Sequence, residues 1–166
     1  MYPTNYYIAL GTNVGNYKNN FSAAINELDK IGKISKIANI YKSKPYGYLN
    51  QNYFYNSVLE LKSKMMPIQL MKSIHLIEKK LKKNKRIVNG PRKIDLDIIF
   101  WGKKKFRNQN LNIPHPRAKE RDFVLLPLID LNPFFRDPET KLSIKDLLSS
   151  LKDHYVIKKL SYSNFF

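Results

Sequence analysis

The sequence has no cysteine, which excludes disulfide bonds, thiolate metal sites and cysteine nucleophiles, and which fits a reducing compartment. It contains neither a GxxxxGKS/T nor a GxGxxG motif, so a nucleotide cannot be held by a P-loop or a dinucleotide-binding turn. The N-terminal residues lack the basic and apolar regions of a signal peptide. The most apolar run, residues 123–129, is interrupted by Pro127 and is too short to span a bilayer. These absences predict a cytoplasmic protein without a membrane partner.

Acidic residues are also scarce, with 13 Asp and Glu against 30 Lys and Arg and a formal net charge of +17. An excess of this sign favours a polyanionic partner: a nucleic acid, an anionic membrane surface or a phosphate-bearing substrate. AT-rich coding explains many of the lysines equally well, because Lys, Asn, Ile and Tyr are all common. The positions of the arginines are therefore more informative than the net charge.

The length of 166 residues and the hydrophobic content of 43% predict one compact domain over residues 1–166, with a monomer as the default. Apolar spacing predicts helices over residues 17–31 and from Pro67 onward, and strands over residues 6–10, 34–41, 54–61 and 94–101. The order βαββαβ is a split βαβ arrangement, an α+β fold with an antiparallel sheet backed by helices. Two short helices, near residues 123–128 and 144–151, form a C-terminal elaboration.

The strongest local signal is Asp95-Leu96-Asp97 inside an apolar strand. Residues two apart on a strand face the same side, so both carboxylates project together while Leu96 faces the core. Two neighbouring carboxylates repel each other, so a cation is expected between them. One candidate is magnesium, which prefers oxygen ligands and is often held by one or two carboxylates plus substrate phosphates. The other is a neighbouring Arg or Lys side chain, and spacing alone leaves both open.

Arginines flank this carboxylate pair, with Arg92 upstream and Arg117 and Arg121 downstream. Magnesium carboxylates surrounded by arginines suit phosphoryl transfer, in which catalysis is mainly positioning and charge neutralisation. Each arginine taken singly also fits a surface ion pair. His115, between two prolines, fits either a donor to phosphate or a capped loop histidine.

Phe54 and Asn56 lie on one face of their predicted strand. They fit an aromatic platform beside an amide that reads the edge of a heterocycle, or else a core aromatic and a strand-end asparagine. A basic RNA-binding domain is a rival interpretation, because split βαβ sheets also bind RNA. Two aspartates on the exposed sheet face argue against it, since they would repel phosphate without a metal.

Four segments resemble the 6-hydroxymethyl-7,8-dihydropterin pyrophosphokinases of folate biosynthesis. They are YIALGTNVGN at 7–16, the stretch from Gly47 to Asn56, NGPRKIDLDIIFWG at 89–102 and IPHPRAKERDFVLLPL at 113–128. The resemblance implies a ferredoxin-like core and transfer of the β,γ-diphosphate of ATP to the hydroxymethyl oxygen of the pterin, with release of AMP. The implied partners are ATP and hydroxymethyl-dihydropterin, and no nucleic acid.

The resemblance also implies roles for individual residues. Two Mg²⁺ ions would be held by Asp95 and Asp97, and Asp97 would also orient or deprotonate the attacking hydroxyl. The implied catalytic residues are Lys83, Arg92, Asp95, Asp97 and Arg121. The implied pterin-binding residues are Ser43, Tyr46, Phe54, Asn56 and Phe123. The implied ATP-binding residues are Glu78, Lys85, Ile98, His115, Arg117 and Arg121.

The sequence departs from the family pattern in the catalytic loop, which commonly carries arginines and a tryptophan where Lys83, Lys85, Val88 and Asn89 stand. Lysine keeps the charge but loses the forked geometry of arginine. Asparagine cannot cover a pterin as an indole would, so Asn89→Trp together with Lys83→Arg is expected to raise pterin affinity or turnover. Tyr46 also replaces a commoner apolar residue in the pterin loop.

Overall fold

The computed structural model describes residues 1–81 and 88–161, so Lys83 and Lys85 lie outside the described residues. The strands are β1 (Thr4–Thr12), β2 (Lys33–Ile37), β3 (Ile40–Ser43), β4 (Phe54–Ser63), β5 (Asp95–Trp101), β6 (Phe106–Arg107), β7 (Asn112–Ile113) and β8 (Val156–Leu160). The α-helices are α1 (Tyr17–Leu28), α2 (Pro67–Lys80), α3 (Asp122–Leu131) and α4 (Ile144–Ser149). No helix among these residues is long and apolar enough to cross a membrane.

Six of the described strands form one antiparallel sheet. Its order is β5-β1-β4-β3-β8, and β2 pairs with β4 beyond the end of β3. The first strand therefore lies between β4 and the edge strand β5. This topology confirms the predicted α+β class and the ferredoxin-like βαββαβ core.

Local signals explain where the two long helices begin and end. Asn16 caps α1, since its side chain accepts a hydrogen bond from the backbone N–H of Asn19 at 3.1 Å. The helix ends at Leu28, three residues before the predicted end at Ile31. Pro67 occupies the first turn of α2, where its missing N–H and fixed φ cost nothing.

Helices cover the sheet on both faces. On one face, α1 and α2 pack through Phe21, Leu28 and Leu70 on the largest apolar core. On the other face, α3 and α4 bury a second core with Val58, Phe100 and other strand residues. The predicted C-terminal elaboration is thus the cover of the second face.

Two parts of the predicted secondary structure were wrong. The single strand expected over residues 34–41 is two strands, β2 and β3, because the chain bends at Ala38 and Asn39. The backbone N–H of Ala38 still donates to the carbonyl of Val58, which keeps the bend against β4. The β6–β7 hairpin and the C-terminal strand β8 were not predicted at all.

Candidate active site

The register of the three adjacent strands β4, β1 and β5 builds the floor of the site. Gly11 on β1 lies opposite Asn56 on β4 and opposite Asp95 on β5. Ala9, two residues earlier on the same face, lies opposite Asp97. Because β1 contributes only Gly11 and Ala9 on this face, the space between the side chains of β4 and those of β5 is left open. Asn56 and Asp95 are two strand spacings apart, about 10 Å.

A cavity of about 330 Å³ lies on this floor. Most of the site residues implied by the sequence line it, and they come from β3, β4, β5, α3 and the segments that connect them. They are Ser43, Tyr46, Phe54, Asn56, Arg92, Asp95, Asp97, His115, Arg117, Arg121 and Phe123. The cavity therefore brings the two carboxylates, the aromatic platform and a group of cationic side chains into one space.

Arg92 connects the carboxylate end of the cavity, at Asp95, with the aromatic end, at Phe54. Its Nε lies 3.3 Å from Oδ2 of Asp95, and its Nη1 donates to the carbonyl of Gly90 at 2.8 Å. Its guanidinium carbon lies 4.8 Å from the centre of the Phe54 ring, a cation–π distance. An arginine therefore neutralises Asp95 here, which is one of the two alternatives that the sequence left open.

The donor set nevertheless fits magnesium. Asp95 and Asp97 are half-buried on the cavity side of β5, whereas Leu96 and Ile98 point into the apolar core, as their spacing predicts. Among the described residues, no group of three or more His, Cys, Asp or Glu side chains could hold a metal. Two carboxylates with the other ligands supplied by phosphate and water are what Mg²⁺ commonly uses.

Glu78 and Ile98 do not line the cavity. Glu78 is buried on α2, and its Oε1 accepts a hydrogen bond at 2.8 Å from the backbone N–H of Leu96, the residue between the two aspartates. It therefore ties the helix to the part of β5 that carries Asp95 and Asp97. The side chain of Ile98 lies in the core, so only its backbone can take part in the ATP binding that the resemblance implies.

Asn56 is held in one orientation by its own neighbours. Its Nδ2 donates to Oγ of Ser43 at 2.8 Å and to the carbonyl of Tyr41 at 3.4 Å. Both amide hydrogens are thus used within the protein. Its Oδ1 lies beside Gly11, where a Cβ would be 3.3 Å away. The side chain presents an acceptor, suited to the N–H groups of a heterocycle.

Three aromatic or cationic side chains, Tyr46, Phe123 and Arg121, form a second wall of the cavity. The Arg121 guanidinium carbon lies 4.8 Å from the ring centre of Tyr46 and 5.7 Å from that of Phe123. The two rings meet at 6.2 Å with an angle of 62°. Arg121 is thus packed on aromatic faces, which orients its planar fork.

His115 is fixed by two hydrogen bonds. Its backbone N–H donates to the carbonyl of Ile99 at 2.9 Å, and its Nδ1 accepts from the backbone N–H of Arg117 at 3.2 Å. Burial lowers the pKa of the His115 imidazole, although the nearby carboxylate of Asp97 opposes this shift. A neutral imidazole that accepts at Nδ1 carries its proton at Nε2, so it can still donate to an anion.

Some lining residues were not predicted from the sequence. Ala9, Gly11 and Ile99 lie two residues from other site positions or opposite them, so strand alternation could have identified them. Asn89 lines the cavity with a positive φ of 56°, and its side chain packs against Gly47 in the pterin loop. A tryptophan at this position would be strained, which argues against the expected gain from Asn89→Trp.

Comparisons with known proteins identify the family of the chain. A family model described as 7,8-dihydro-6-hydroxymethylpterin-pyrophosphokinase (HPPK) matches residues 7–133. The 2-amino-4-hydroxy-6-hydroxymethyldihydropteridine pyrophosphokinase of Aquifex aeolicus is 35% identical over 140 residues, covering 84% of this chain and 88% of the relative. The folic acid synthesis protein fol1 of Pneumocystis carinii is 42% identical over 149 residues, 89% of this chain. This chain spans only 20% of that longer relative.

A similar fold is present in a crystal structure of Plasmodium falciparum HPPK-DHPS with pterin and p-hydroxybenzoate. The TM-score is 0.73 at 18% identity, with 89% of this chain and 43% of that chain covered. At this identity the likeness supports the fold alone, while the sequence matches establish the family. The chain belongs to the 7,8-dihydro-6-hydroxymethylpterin-pyrophosphokinase family.

Proposed function

We propose that this protein transfers the β,γ-diphosphate of Mg-ATP to the hydroxymethyl group of 6-hydroxymethyl-7,8-dihydropterin and releases AMP. The observation that carries the proposal is the shared cavity. It joins an aromatic and amide end at Phe54 and Asn56 with a carboxylate and arginine end at Asp95 and Arg92. A flat heterocycle and a polyphosphate can therefore meet in one site.

The pterin lies at the aromatic end in this proposal. Phe54 and Phe123 supply the two faces of the stack, and the Oδ1 of Asn56 accepts from the edge of the ring. Ser43 fixes the Asn56 amide, and Tyr46 belongs to the loop that closes this end. For the pterin to stack on Phe54, the Arg92 guanidinium must leave that ring face.

The phosphates of ATP lie beside Asp95 and Asp97, where Arg117 and His115 also line the cavity. Arg92 and Arg121, which pack on aromatic rings in the structure, turn toward the phosphates in this proposal. These side chains neutralise the negative charge of the transferred group, which is the main requirement of phosphoryl transfer. Asp95 and Asp97 would hold Mg²⁺, two ions by the family resemblance, and the metal supplies charge neutralisation and orientation of the phosphates. Arg92 would be released from Asp95 if that carboxylate held Mg²⁺, and its guanidinium would then be available to phosphate.

In the reaction, the hydroxymethyl oxygen attacks the β-phosphorus, and the bond from that phosphorus to the oxygen of the α-phosphate breaks. Asp97 lies opposite Ala9 on the cavity floor and accepts the proton of the attacking hydroxyl. AMP leaves with the bridging oxygen. The cationic side chains hold the diphosphate throughout, so the chain's contribution is chiefly positioning and charge.

Incubation with Mg-ATP and hydroxymethyl-dihydropterin tests the proposal, with separation of AMP and ADP. AMP formed in equal amount with the pterin diphosphate is the expected result. ADP would indicate an ordinary kinase, and absence of any product would favour an inert pterin or nucleotide binder. Asp97→Ala should abolish turnover with an unchanged unfolding temperature, whereas the exposed Asp146→Ala serves as the matched control. Retained activity in Asp97→Ala would contradict the metal assignment.

A further inference from the structure

Tyr155, immediately before β8, bridges the two segments that carry the cavity wall formed by Tyr46 and Phe123. Its backbone N–H donates at 2.8 Å to Oδ2 of Asp122, the first residue of α3. Its carbonyl accepts at 2.9 Å from the backbone N–H of Lys44 in the pterin loop. The backbone of one residue is therefore fixed to both segments at once.

This bridge is reinforced by the neighbouring residues. The backbone N–H of Val156 donates to the same oxygen of Asp122 at 2.9 Å, and Val156 pairs with Ser43 across β8 and β3. Asp122 is 2% exposed, so these hydrogen bonds are shielded from water. The C-terminal strand thus fixes the distance between the pterin loop and the start of α3.

The side chain of Tyr155 continues the bridge. Its ring centre lies 5.4 Å from that of Tyr46 at 64°, and 6.0 Å from that of Phe123 at 88°. Both distances and angles are typical of favourable edge-to-face pairs. Tyr46 and Phe123 line the cavity, whereas Tyr155 does not. The third ring therefore backs the other two from outside the site.

We propose that Tyr155 is a positioning residue for the pterin: it holds the ring of Phe123, with Tyr46 packed against it, in the orientation that stacks on the heterocycle. This inference rests on the proposed function, since it takes the cavity wall at Phe123 as the stacking surface. The hydroxyl has no part in it, because the contacts are made by the ring. Tyrosine and phenylalanine should therefore serve equally well at position 155.

The test measures KM for the pterin, kcat and the pterin Kd without ATP for wild type, Tyr155→Ala and Tyr155→Phe. Loss of two edge-to-face contacts is expected to raise the pterin KM and Kd about tenfold in Tyr155→Ala, with kcat changed less than about twofold. Tyr155→Phe should stay within about twofold of wild type. A purely structural role would instead lower kcat and the unfolding temperature while leaving KM unchanged, and that result would overturn the proposal.

Controls separate this inference from the function on which it rests. Tyr2→Ala, at a tyrosine that is 91% exposed, should change neither KM nor Kd. If Tyr155→Ala does not fold, Tyr155→Leu keeps the apolar volume without the ring, and a wild-type Kd in that variant overturns the proposal. A wild-type protein that binds no pterin contradicts the proposed function itself. A wild type that turns over beside a Tyr155→Ala variant of unchanged KM overturns the positioning role alone.

Discussion

Replacing Gly11 with alanine adds one methyl group to the floor of the cavity. Gly11 does not have a positive φ, so its strand backbone suits alanine. The new Cβ would lie 3.3 Å from Oδ1 of Asn56, slightly closer than ordinary van der Waals contact. The amide cannot simply rotate away, because its Nδ2 is held by Ser43 at 2.8 Å. The oxygen is therefore expected to shift by a few tenths of an ångström.

Stability and substrate binding should respond to this change in opposite directions. Glycine-to-alanine replacement at a compatible backbone position stabilises a protein by about 0.4–1 kcal/mol, chiefly by restricting the unfolded chain. A displaced Asn56 oxygen should lose much of a hydrogen bond to the pterin, about 0.5–1.5 kcal/mol. That loss corresponds to an increase in pterin KM of about twofold to tenfold. The variant should thus be at least as stable as wild type and bind the pterin less tightly.

A double-mutant cycle with Asn56→Ala tests whether the effect runs through the amide. Thermal unfolding gives the stability of each variant, and steady-state kinetics at saturating Mg-ATP give the pterin KM. If Gly11 acts through Asn56, then Gly11→Ala should change KM little in the Asn56→Ala background, because contacting residues are not additive. Equal effects in both backgrounds, or a wild-type KM in Gly11→Ala, would refute the role given to the Asn56 oxygen.

Two further predictions concern buried carboxylates. Glu78→Ala removes the acceptor of the Leu96 N–H, so it should lower the free energy of unfolding by about 1–3 kcal/mol and reduce activity. Urea unfolding measures the first effect and the turnover rate measures the second. Unchanged values of both would contradict a positioning role for Glu78. Burial tends to raise the pKa of Asp137, but hydrogen bonds from Thr140 and Lys119 outweigh it and lower that pKa below 3.8. Its charge therefore stabilises the fold at neutral pH, and this stability is lost as the pH falls through the folded-state pKa. Asp137→Asn should unfold at a lower temperature than wild type at pH 7, and this difference in unfolding temperature should become smaller below about pH 4. A difference that stays constant with pH would contradict the stabilising role of the Asp137 charge.

Local patterning predicted the parts of the fold whose signals lie within one element. The alternation around Asp95 and Asp97 placed both carboxylates on one face of β5, and Pro67 marked the start of α2. The positions of Phe54 and Asn56 followed from the same period of two. Short-range geometry was sufficient here because each element has one clearly apolar face.

The remaining features depend on contacts between residues far apart in the chain. Strand β8 reads Val-Ile-Lys-Lys-Leu, without clean alternation, and it forms because β3 and Asp122 supply hydrogen-bonding partners. The pairing of Arg92 with Asp95 depends on how the chain turns through Gly90, which no pattern of residue types indicates. Ile98 was taken as an ATP contact from the resemblance, although its position two residues from Leu96 already assigned its side chain to the core.

Asn89 departs from the family pattern, and its backbone conformation and contacts give a physical reason for the departure. The family pattern that the sequence resembles has a tryptophan where Asn89 stands. The φ of Asn89 is 56°, a conformation that asparagine adopts more readily than tryptophan. Its carbonyl accepts from Nε2 of Gln51 at 2.6 Å, and its side chain fills the space that a Cβ on Gly47 would need. Gln51 also accepts from Asn13, which in turn accepts from the backbone N–H of Arg92. The residue thus joins the pterin loop to the segment that carries Arg92, and a larger side chain would separate the two rather than cover the pterin.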